Sequence, residues 1–305
     1  MKKILITGAN GLLGQKLVSL LSKNDNVMLI ATARGECRFS IPENVSYQNL
    51  DITNAEDCKS LMDQFQPDAL IHAAAMTQVD ACETEPELCD SINVTGVQNL
   101  IQAIGERNTH FVHISTDFIY EGDEDQYFED SKVNPLSYYG VSKWKSEQLF
   151  ENVKFPYSIL RTVLVYGVLE DLSRSNIVLW AKGALEKGQE INVVDDQFRC
   201  PTLAEDLALA CLQVVEEKAT GVYHVSGKDF LSILELVFQI ADYWNLDKSL
   251  INSIVTSSLN QPAKRPAKTK LNINKAIQQF NYQPKSFREG LALVDEQLQN
   301  LKPQQ

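Results

Sequence analysis

The sequence has no long hydrophobic run and relatively little positive charge. Its 305 residues include 28 lysines and arginines against 40 aspartates and glutamates, a net charge of −12. Such a chain repels polyanions, so we do not expect nucleic acid or an anionic membrane as a partner. No stretch reaches the ~18 apolar residues of a spanning helix, and the N-terminal run stops at Ile6, short of the ~7–15 residues of an export signal. We therefore predict a cytoplasmic protein without a membrane partner.

The sequence also lacks the spacings of metal-binding or disulfide frameworks. Its six cysteines are scattered without a CxxC pair, and its four histidines show no metal-ligand pattern. In a reducing compartment such cysteines are free thiols, used mainly as small core residues. His113 lies in the apolar run FVHIS, which is typical of a buried strand. We predict no metal site, and the chain shows no internal repeat.

Strand-like and helical patterns alternate through the first half of the chain. Helical periodicity appears in LLGQKLVSLLSK, in AEDCKSLMDQF and from about Pro86 through INVTGVQNLIQAIGER. Such alternation predicts an α/β fold with a doubly wound parallel sheet covered by helices on both faces. The strand-like runs are KILIT (3–7), VMLIATA (27–33), DALIHAAA (68–75), HFVHIST (110–116) and KFPYSILRT (154–162).

The second half is less regular. INVVD and GVYHVS read as short strands, and LSILELVFQIADYW reads as a long amphipathic helix. SLNQPAKRPAKTKLN has prolines and many basic residues, so it predicts a loop. The acidic stretch EGDEDQYFED (121–130) predicts a solvated loop between a strand and a helix.

A glycine-rich turn directly follows the first predicted strand. TGANGLLGQ places Gly8, Gly11 and Gly14 between that strand and a helical pattern. Glycines here permit a tight turn, close approach of the backbone to a pyrophosphate and close packing of helix on strand. The spacing GxxGxxG is one residue longer than the common GxGxxG, and a purely structural turn is the alternative. The context favours dinucleotide binding.

The end of the second strand indicates which dinucleotide is bound. An acid there accepts the 2′-hydroxyl of NAD, whereas an arginine accommodates the 2′-phosphate of NADP. The sequence ATARGECR offers Arg34 and Arg38 against Glu36, which favours NADPH and leaves NADH possible. Asp51 is a candidate partner for the adenine amino group. The small side chains of Ala73, Ala74 and Ala75 would let the cofactor lie close to the strand end.

The segment SYYGVSK (137–143) contains a candidate catalytic pair. Tyr139 and Lys143 are one helical turn apart on one face, whereas Tyr138 points about 100° away. A phenol with its ordinary pKa of ~10 is a poor acid or base at neutral pH. A neighbouring ammonium favours the phenolate, and we expect Lys143 to lower the pKa of Tyr139 in this way. Thr116, at the end of the HISTD strand, is a candidate to bond the same carbonyl. Asp117 is a candidate to hold the substrate or tune the tyrosine, with a cap or turn residue as an equal alternative.

Together these motifs resemble the extended short-chain dehydrogenase/reductase family. Within it, the chain looks like the dTDP-4-dehydrorhamnose reductases. The resemblance covers about residues 3 to 272. The motifs that match in order are GANGLLGQ, HAAAMTQVDACE, INVTGVQNL, HISTDFIYEG, PLSYYGVSKWKSE, LRTVLVYG, DQFRCPTLAEDLA, GVYHVSG and RPAKTKLN.

The resemblance implies a Rossmann domain with a smaller, interleaved substrate lobe. We assign residues 1–165 and 189–226 to the Rossmann domain and residues 166–188 and 227–305 to the lobe. The implied reaction is NADPH-dependent reduction of the 4-keto group of a nucleotide-linked 6-deoxyhexose, a step of dTDP-rhamnose biosynthesis.

The resemblance also implies the residues of the site. The catalytic set is Thr116, Tyr139 and Lys143. Substrate contacts are implied for Thr116, Asp117, Arg199 and Arg265, with Arg265 near the pyrophosphate. The predicted cofactor contacts are Gly8, Asn10, Gly11, Leu12, Leu13, Arg34, Asp51, Ile52, Ala73, Ala74, Ala75, Tyr139 and Lys143.

Two departures from the family pattern put the sugar in question. Val163 and Leu164 follow Arg161-Thr162, where relatives usually carry a tryptophan that offers a packing surface. Arg199 and Cys200 replace smaller residues in DQFRCPT.

Other functions remain open at this level. The alternatives are a nucleotide-binding regulatory subunit without turnover, and an epimerase or reductase acting on another nucleotide sugar. The apolar-faced helices near 86–107 and 137–151 would suit a homodimer interface or simply cover the sheet.

Overall fold

A parallel sheet of seven strands forms the centre of the molecule. The structure is a computed structural model that describes residues 1–172 and 175–301. Its strands are β1 (Lys2–Thr7), β2 (Val27–Ala33), β3 (Val45–Asn49), β4 (Ala69–His72), β5 (His110–Thr116), β6 (Tyr157–Thr162), β7 (Val165–Tyr166), β8 (Ile191–Val194), β9 (Phe198–Arg199), β10 (Thr202–Leu203), β11 (Gly221–His224), β12 (Leu231–Ser232), β13 (Ile251–Ile254) and β14 (Lys268–Thr269).

The order of the large sheet is β11-β6-β5-β4-β1-β2-β3, and every pairing in it is parallel. The direction of strand succession reverses between β1 and β4. The carboxyl ends of these strands flank a crevice, which is where ligands bind in open α/β sheets. The predicted Rossmann-type α/β fold is confirmed. β3 lies at the sheet edge, and its half-buried sequence VSYQN has little apolar pattern.

Helices cover both faces of this sheet. On one face α1 and α8 pack against each other through Leu17, Leu207 and Val214, and on the other face α2 packs on α5. The helices are α1 (Leu12–Leu21), α2 (Ala55–Phe65), α3 (Val79–Thr84), α4 (Pro86–Asp90), α5 (Gly96–Ile104), α6 (Tyr138–Gln148), α7 (Ile177–Glu186), α8 (Ala204–Glu216), α9 (Ile233–Tyr243), α10 (Asn274–Phe280) and α11 (Phe287–Leu301).

The second half of the chain adds a smaller lobe with its own core. α7, α9 and α11 pack around Leu236, Ile240 and Leu291. β8 pairs with β13, and β9 lies between β12 and β14. α8 and β11 instead join the Rossmann unit. The boundaries predicted above stay a prediction, but β8 and β9, which they place in the Rossmann domain, pair with strands of the smaller lobe. Residues 173–174 and 302–305 of the predicted lobe lie outside the described residues.

The described helices are all too short or too polar to cross a membrane. All six cysteines are free thiols, as the sequence predicted, and five of them are buried.

Candidate active site

The turn after β1 approaches the backbone of a neighbouring strand. Gly8 adopts a φ of +74°, and a Cβ there would lie 2.6 Å from the Ala74 nitrogen. Gly14 is equally constrained, since its Cβ would lie 2.3 Å from the Gly8 oxygen. Gly11 precedes α1 and provides no side-chain cap. The side chain of that residue therefore caps none of the amides in the first turn of α1. Uncapped amides at a helix N-terminus can bind phosphate.

A cavity of about 810 Å³ opens beside this turn at the switch point of the sheet. Its walls include Thr7 and Thr32 at two strand ends and Met76 after β4. Of the predicted cofactor contacts, the cavity is lined by Gly8, Asn10, Gly11, Arg34, Asp51, Ile52, Ala73, Ala74 and Ala75. Leu12 and Leu13 lie in the first turn of α1 behind it, and Tyr139 and Lys143 lie on α6 outside its lining.

The far end of the cavity carries two arginines. Arg34 and Arg38 are exposed and line it, whereas Glu36 does not. Asn10 holds this loop through a 2.8 Å bond to the Glu36 carbonyl and a 3.0 Å bond from the Arg38 amide. Asp51 accepts bonds from the backbone and hydroxyl of Thr53, which lower the pKa of its carboxyl group. This end is electropositive and suits a phosphate-bearing ribose.

Helix α6 is held close to the end of β5. Its N-cap Ser137 accepts a bond from the Gly140 amide. A Cβ on Gly140 would lie only 2.2 Å from the Phe118 carbonyl oxygen, so glycine is required for this approach. The close contact brings the first turn of α6, which contains Tyr139, next to Thr116.

Tyr139 is buried and lies beside Thr116. Its ring packs edge-on against Phe118, with centroids 5.7 Å apart. Burial raises the pKa of the phenol, a hydrogen bond with Thr116 lowers it in part, and the nearby Asp117 carboxylate raises it further. We expected Lys143 to lower this pKa, and that expectation was wrong for this structure, because burial dominates. Tyr139 is therefore protonated at neutral pH, which is the form that donates a proton.

Lys143 is also buried, one turn further along α6. Its Nζ lies 3.2 Å from Nε2 of His113 in β5. Burial lowers the pKa of Lys143 to about 8, against the opposing effect of Glu147. Burial and the Lys143 charge both lower the pKa of His113, so this imidazole is neutral. The same Nε2 lies 3.0 Å from the Ser146 hydroxyl, which donates to the Lys143 carbonyl.

The predicted substrate residues occupy two places. Asp117 and Arg199 are buried in the interior, with 3.7 Å between the Asp117 carboxylate and the guanidinium Nε. Burial raises the pKa of Asp117 and lowers that of Arg199. Arg265 lies nearer the surface, where its guanidinium donates to Asp80 of α3 over 2.6 Å. That bond lowers the pKa of Asp80.

Asn93 is a site residue that the sequence analysis missed. It lies in a π-helical turn (Ser91–Thr95) between α4 and α5 and is buried. Its amide bonds both backbone groups of Met76 and the Ser142 hydroxyl, all within 3.0 Å. It thus ties the wall of the cavity to α6. A buried asparagine beside a π-turn often marks a functional site, but helical periodicity does not reveal that turn.

Leu164, which stands near the position where relatives usually carry a tryptophan, has an unusual backbone conformation. Leu164 has a φ of +39°, a left-handed conformation that is unusual for a leucine. Val163 beside it is fully buried with Ile119 and Tyr120.

Comparisons with known proteins agree with this geometry. The chain is 33% identical to dTDP-4-dehydrorhamnose reductase of Aggregatibacter actinomycetemcomitans, over 95% of this chain and 97% of that protein. It is 29% identical to methionine adenosyltransferase 2 subunit beta of Xenopus tropicalis, over 95% and 86% of the two chains.

A solved structure of another dTDP-4-dehydrorhamnose reductase is also similar to this chain. The crystal structure of dTDP-4-dehydrorhamnose reductase from Bacillus anthracis in complex with NADP superposes with a TM-score of 0.83 at 29% identity, covering 97% and 100% of the chains. The resemblance read from the motifs, that of an NAD(P)-dependent oxidoreductase, is confirmed. The RmlD substrate binding domain matches residues 1–300, and the chain belongs to that family, within the extended short-chain dehydrogenases/reductases.

Proposed function

We propose that this protein is an NADPH-dependent reductase of a nucleotide-linked 4-keto-6-deoxyhexose, with dTDP-4-dehydrorhamnose reductase activity in deoxysugar biosynthesis. The observation that carries the proposal is the grouping of Thr116, Tyr139 and Lys143 at the carboxyl end of β5. A non-catalytic binder has no need of a buried, protonated tyrosine beside a buried lysine. The 33% identical relative is named for this activity.

Each of the three residues has its own role in the proposed reaction. The bound cofactor supplies a hydride to the carbonyl carbon. Tyr139 donates its proton to the carbonyl oxygen. The Thr116 hydroxyl, which donates to Asp117 in this structure, would turn its one O–H to hold that oxygen. The Lys143 ammonium would stabilise the phenolate that remains and bond the nicotinamide ribose. His113 accepts one N–H of that ammonium and leaves the others for Tyr139 and the ribose.

The arginine pair supports NADPH over NADH. Arg34 and Arg38 line the cavity, and Glu36, the competing ribose ligand, does not. A 2′-phosphate placed there would meet two guanidiniums. The NADP in the Bacillus anthracis reductase agrees with this choice.

The proposed substrate contacts come from the smaller lobe and from the carboxyl end of β5. Arg265 is proposed to bind the pyrophosphate, and Asp117 and Thr116 lie where the sugar would enter. One guanidinium in a cleft acts locally, so the net charge of −12 does not oppose this role. Leu164 in place of an aromatic residue changes the surface offered to the sugar.

A regulatory subunit is the second candidate. The similarity to methionine adenosyltransferase 2 subunit beta supports it, since the match covers 95% of this chain. A regulatory role predicts tight binding of NADPH without turnover.

The test is NADPH oxidation by the wild-type chain with dTDP- and UDP-linked 4-keto-6-deoxy sugars. We expect oxidation that depends on the sugar, and a preference for NADPH over NADH that the double variant Arg34→Ala/Arg38→Ala removes. Tight NADPH binding without oxidation would favour the regulatory role. Conversion of sugar without net NADPH consumption would indicate an epimerase.

A further inference from the structure

The Arg199 side chain is buried, and its hydrogen-bond donors are engaged inside the protein. Arg199 is 3% exposed. Its Nη2 donates to the Pro266 carbonyl over 2.6 Å, and its Nη1 donates to the carbonyls of Phe198 and Ala267 over 2.8 and 3.2 Å. The remaining Nε faces Asp117. A guanidinium has five N–H groups in a fixed fork, so these contacts leave little capacity for a ligand.

Asp117 connects this arginine to the catalytic threonine. One carboxylate oxygen accepts from the Thr269 hydroxyl over 2.5 Å and faces Arg199, and the other accepts from the Thr116 hydroxyl over 3.2 Å. Thr269 belongs to β14 and Arg199 to β9, both in the smaller lobe. A single buried carboxylate thus joins the end of β5 to two strands of the lobe.

The segment between these contacts carries Arg265. We call residues 263–269 the substrate loop. Besides its contacts through Arg199 and Thr269, the loop is held by the Arg265–Asp80 ion pair. It also packs closely on Gly122, where a Cβ would lie 2.7 Å from the Ala267 nitrogen. The loop is therefore held by carboxylates of the Rossmann unit at both ends. Arg265 is only partly buried, so a pyrophosphate can replace Asp80 as its partner.

We propose that Arg199 is a positioning residue. It fixes the substrate loop through the backbone carbonyls it bonds and through Asp117, without touching the substrate. This inference rests on the proposed function and refines the predicted substrate contact at Arg199 into an indirect one. The ion pair also explains how a charged side chain is tolerated where relatives have smaller residues, because its charge meets Asp117.

The test compares Arg199→Met with Thr269→Val, which removes the other lobe contact of Asp117. Thr269 is fully buried and cannot touch a ligand. We expect both variants to raise the KM for the nucleotide sugar by ~10-fold, with kcat within ~3-fold, because loosening a loop that binds the ground state weakens binding uniformly. Their effects should be less than additive in the double variant, since both act through one carboxylate.

Direct contact of Arg199 with the pyrophosphate predicts a different pattern. Thr269→Val would then leave KM unchanged, and Arg199→Lys would retain most of the affinity. On our account Arg199→Lys resembles Arg199→Met, because one ammonium cannot bond three carbonyls and Asp117 together. If Arg199→Met fails to fold with its unpaired carboxylate, Thr269→Val, which leaves both charges in place, carries the test through KM and loop exchange.

Hydrogen exchange separates this proposal from the proposed function. In Arg199→Met and in Thr269→Val we expect exchange in residues 263–269 to accelerate by ~10-fold or more, with NADPH affinity unchanged. Unchanged exchange in the loop, together with lost binding of dTDP and UDP, would overturn the proposal. This readout needs no turnover, so it stands even if the wild type reduces no sugar.

Discussion

Helix α6 carries two tyrosine–lysine pairs in two surroundings. On the buried face, Tyr139, Lys143 and Glu147 follow one another at intervals of four residues, and each is less than a tenth exposed. On the outer face, Tyr138 and Lys145 share the Asp90 carboxylate, with their bonds to it 2.9 and 2.7 Å long. The residue types are the same on both faces. The difference teaches that burial and neighbours, and not the tyrosine–lysine pairing itself, make one pair a candidate for catalysis.

The largest effect should come from the buried tyrosine. We expect Tyr139→Phe to lower kcat/KM by ~10³-fold with NADPH affinity retained, since a general acid contributes about that much. Tyr138→Phe is the matched control on the adjacent position, and its activity should stay within ~2-fold of the wild type. Steady-state assays of both variants measure this difference in kcat/KM. Equal losses of kcat/KM in the two variants would contradict a special role of the buried face.

The two ion pairs of α6 should differ in stability. Arg161 and Glu147 form a buried pair 2.7 Å apart, with both side chains nearly inaccessible. Glu147→Gln leaves an uncompensated guanidinium and should cost about 3–5 kcal/mol of unfolding free energy. Asp90→Asn breaks the outer pair and should cost about 0–1 kcal/mol. Urea denaturation measures both, and a similar loss for the two variants would refute the contrast.

Replacing the buried lysine should separate activity from stability. Lys143→Met removes the ammonium one helical turn from Tyr139, so we expect kcat/KM to fall by ~10²-fold and NADPH to bind more weakly. Because the charged form of Lys143 is disfavoured by burial, the variant should be as stable as the wild type or more so. Lys145→Met is the control, with unchanged kinetics. A large loss of melting temperature in Lys143→Met would argue for a structural role.

The smallest effect is a pH dependence set by Lys143. Burial lowers the pKa of Lys143 in the folded protein to about 8, from the ordinary 10.5 of a lysine. The unfolded chain therefore binds more protons between these values, and the contribution of Lys143 to stability rises with pH across this window. Activity should move the opposite way, because loss of the ammonium above pH ~8 weakens stabilisation of the phenolate, by ~10-fold between pH ~7 and ~9.

A kcat/KM profile of the free enzyme checks this prediction. His113→Gln, which replaces the imidazole acceptor with an amide oxygen, should shift the alkaline limb and leave the plateau within ~3-fold. A profile that is flat across this range would contradict the assignment of Lys143.

Local patterns in the sequence were sufficient for the Rossmann sheet, the phosphate turn and the Tyr139–Lys143 pair. Each depends on residues close in the chain: a buried strand before Gly8, and a spacing of four along α6. The fold that follows is confirmed by the seven parallel strands. The assignment of individual site residues stays a prediction until variants are measured.

The remaining features depend on contacts between distant residues. His113 meets Lys143 across 30 positions, and Arg199 meets the carbonyl of Pro266 across 67. No periodicity signals such a pair. The rise in the pKa of Tyr139 was missed for the same reason, because burial comes from packing across the whole site. The π-turn at Asn93 was missed because a single extra residue leaves the helical pattern almost unchanged.

The most direct test of the account is transfer of label from deuterated NADPH to a dTDP-linked 4-keto-6-deoxy sugar, followed by mass spectrometry. We predict that the wild type and Tyr138→Phe place one deuterium on carbon in the reduced sugar, and that Tyr139→Phe places essentially none. A wild-type chain that binds the cofactor but transfers no deuterium to any such sugar would contradict the central claim that the buried face of α6 carries out carbonyl reduction.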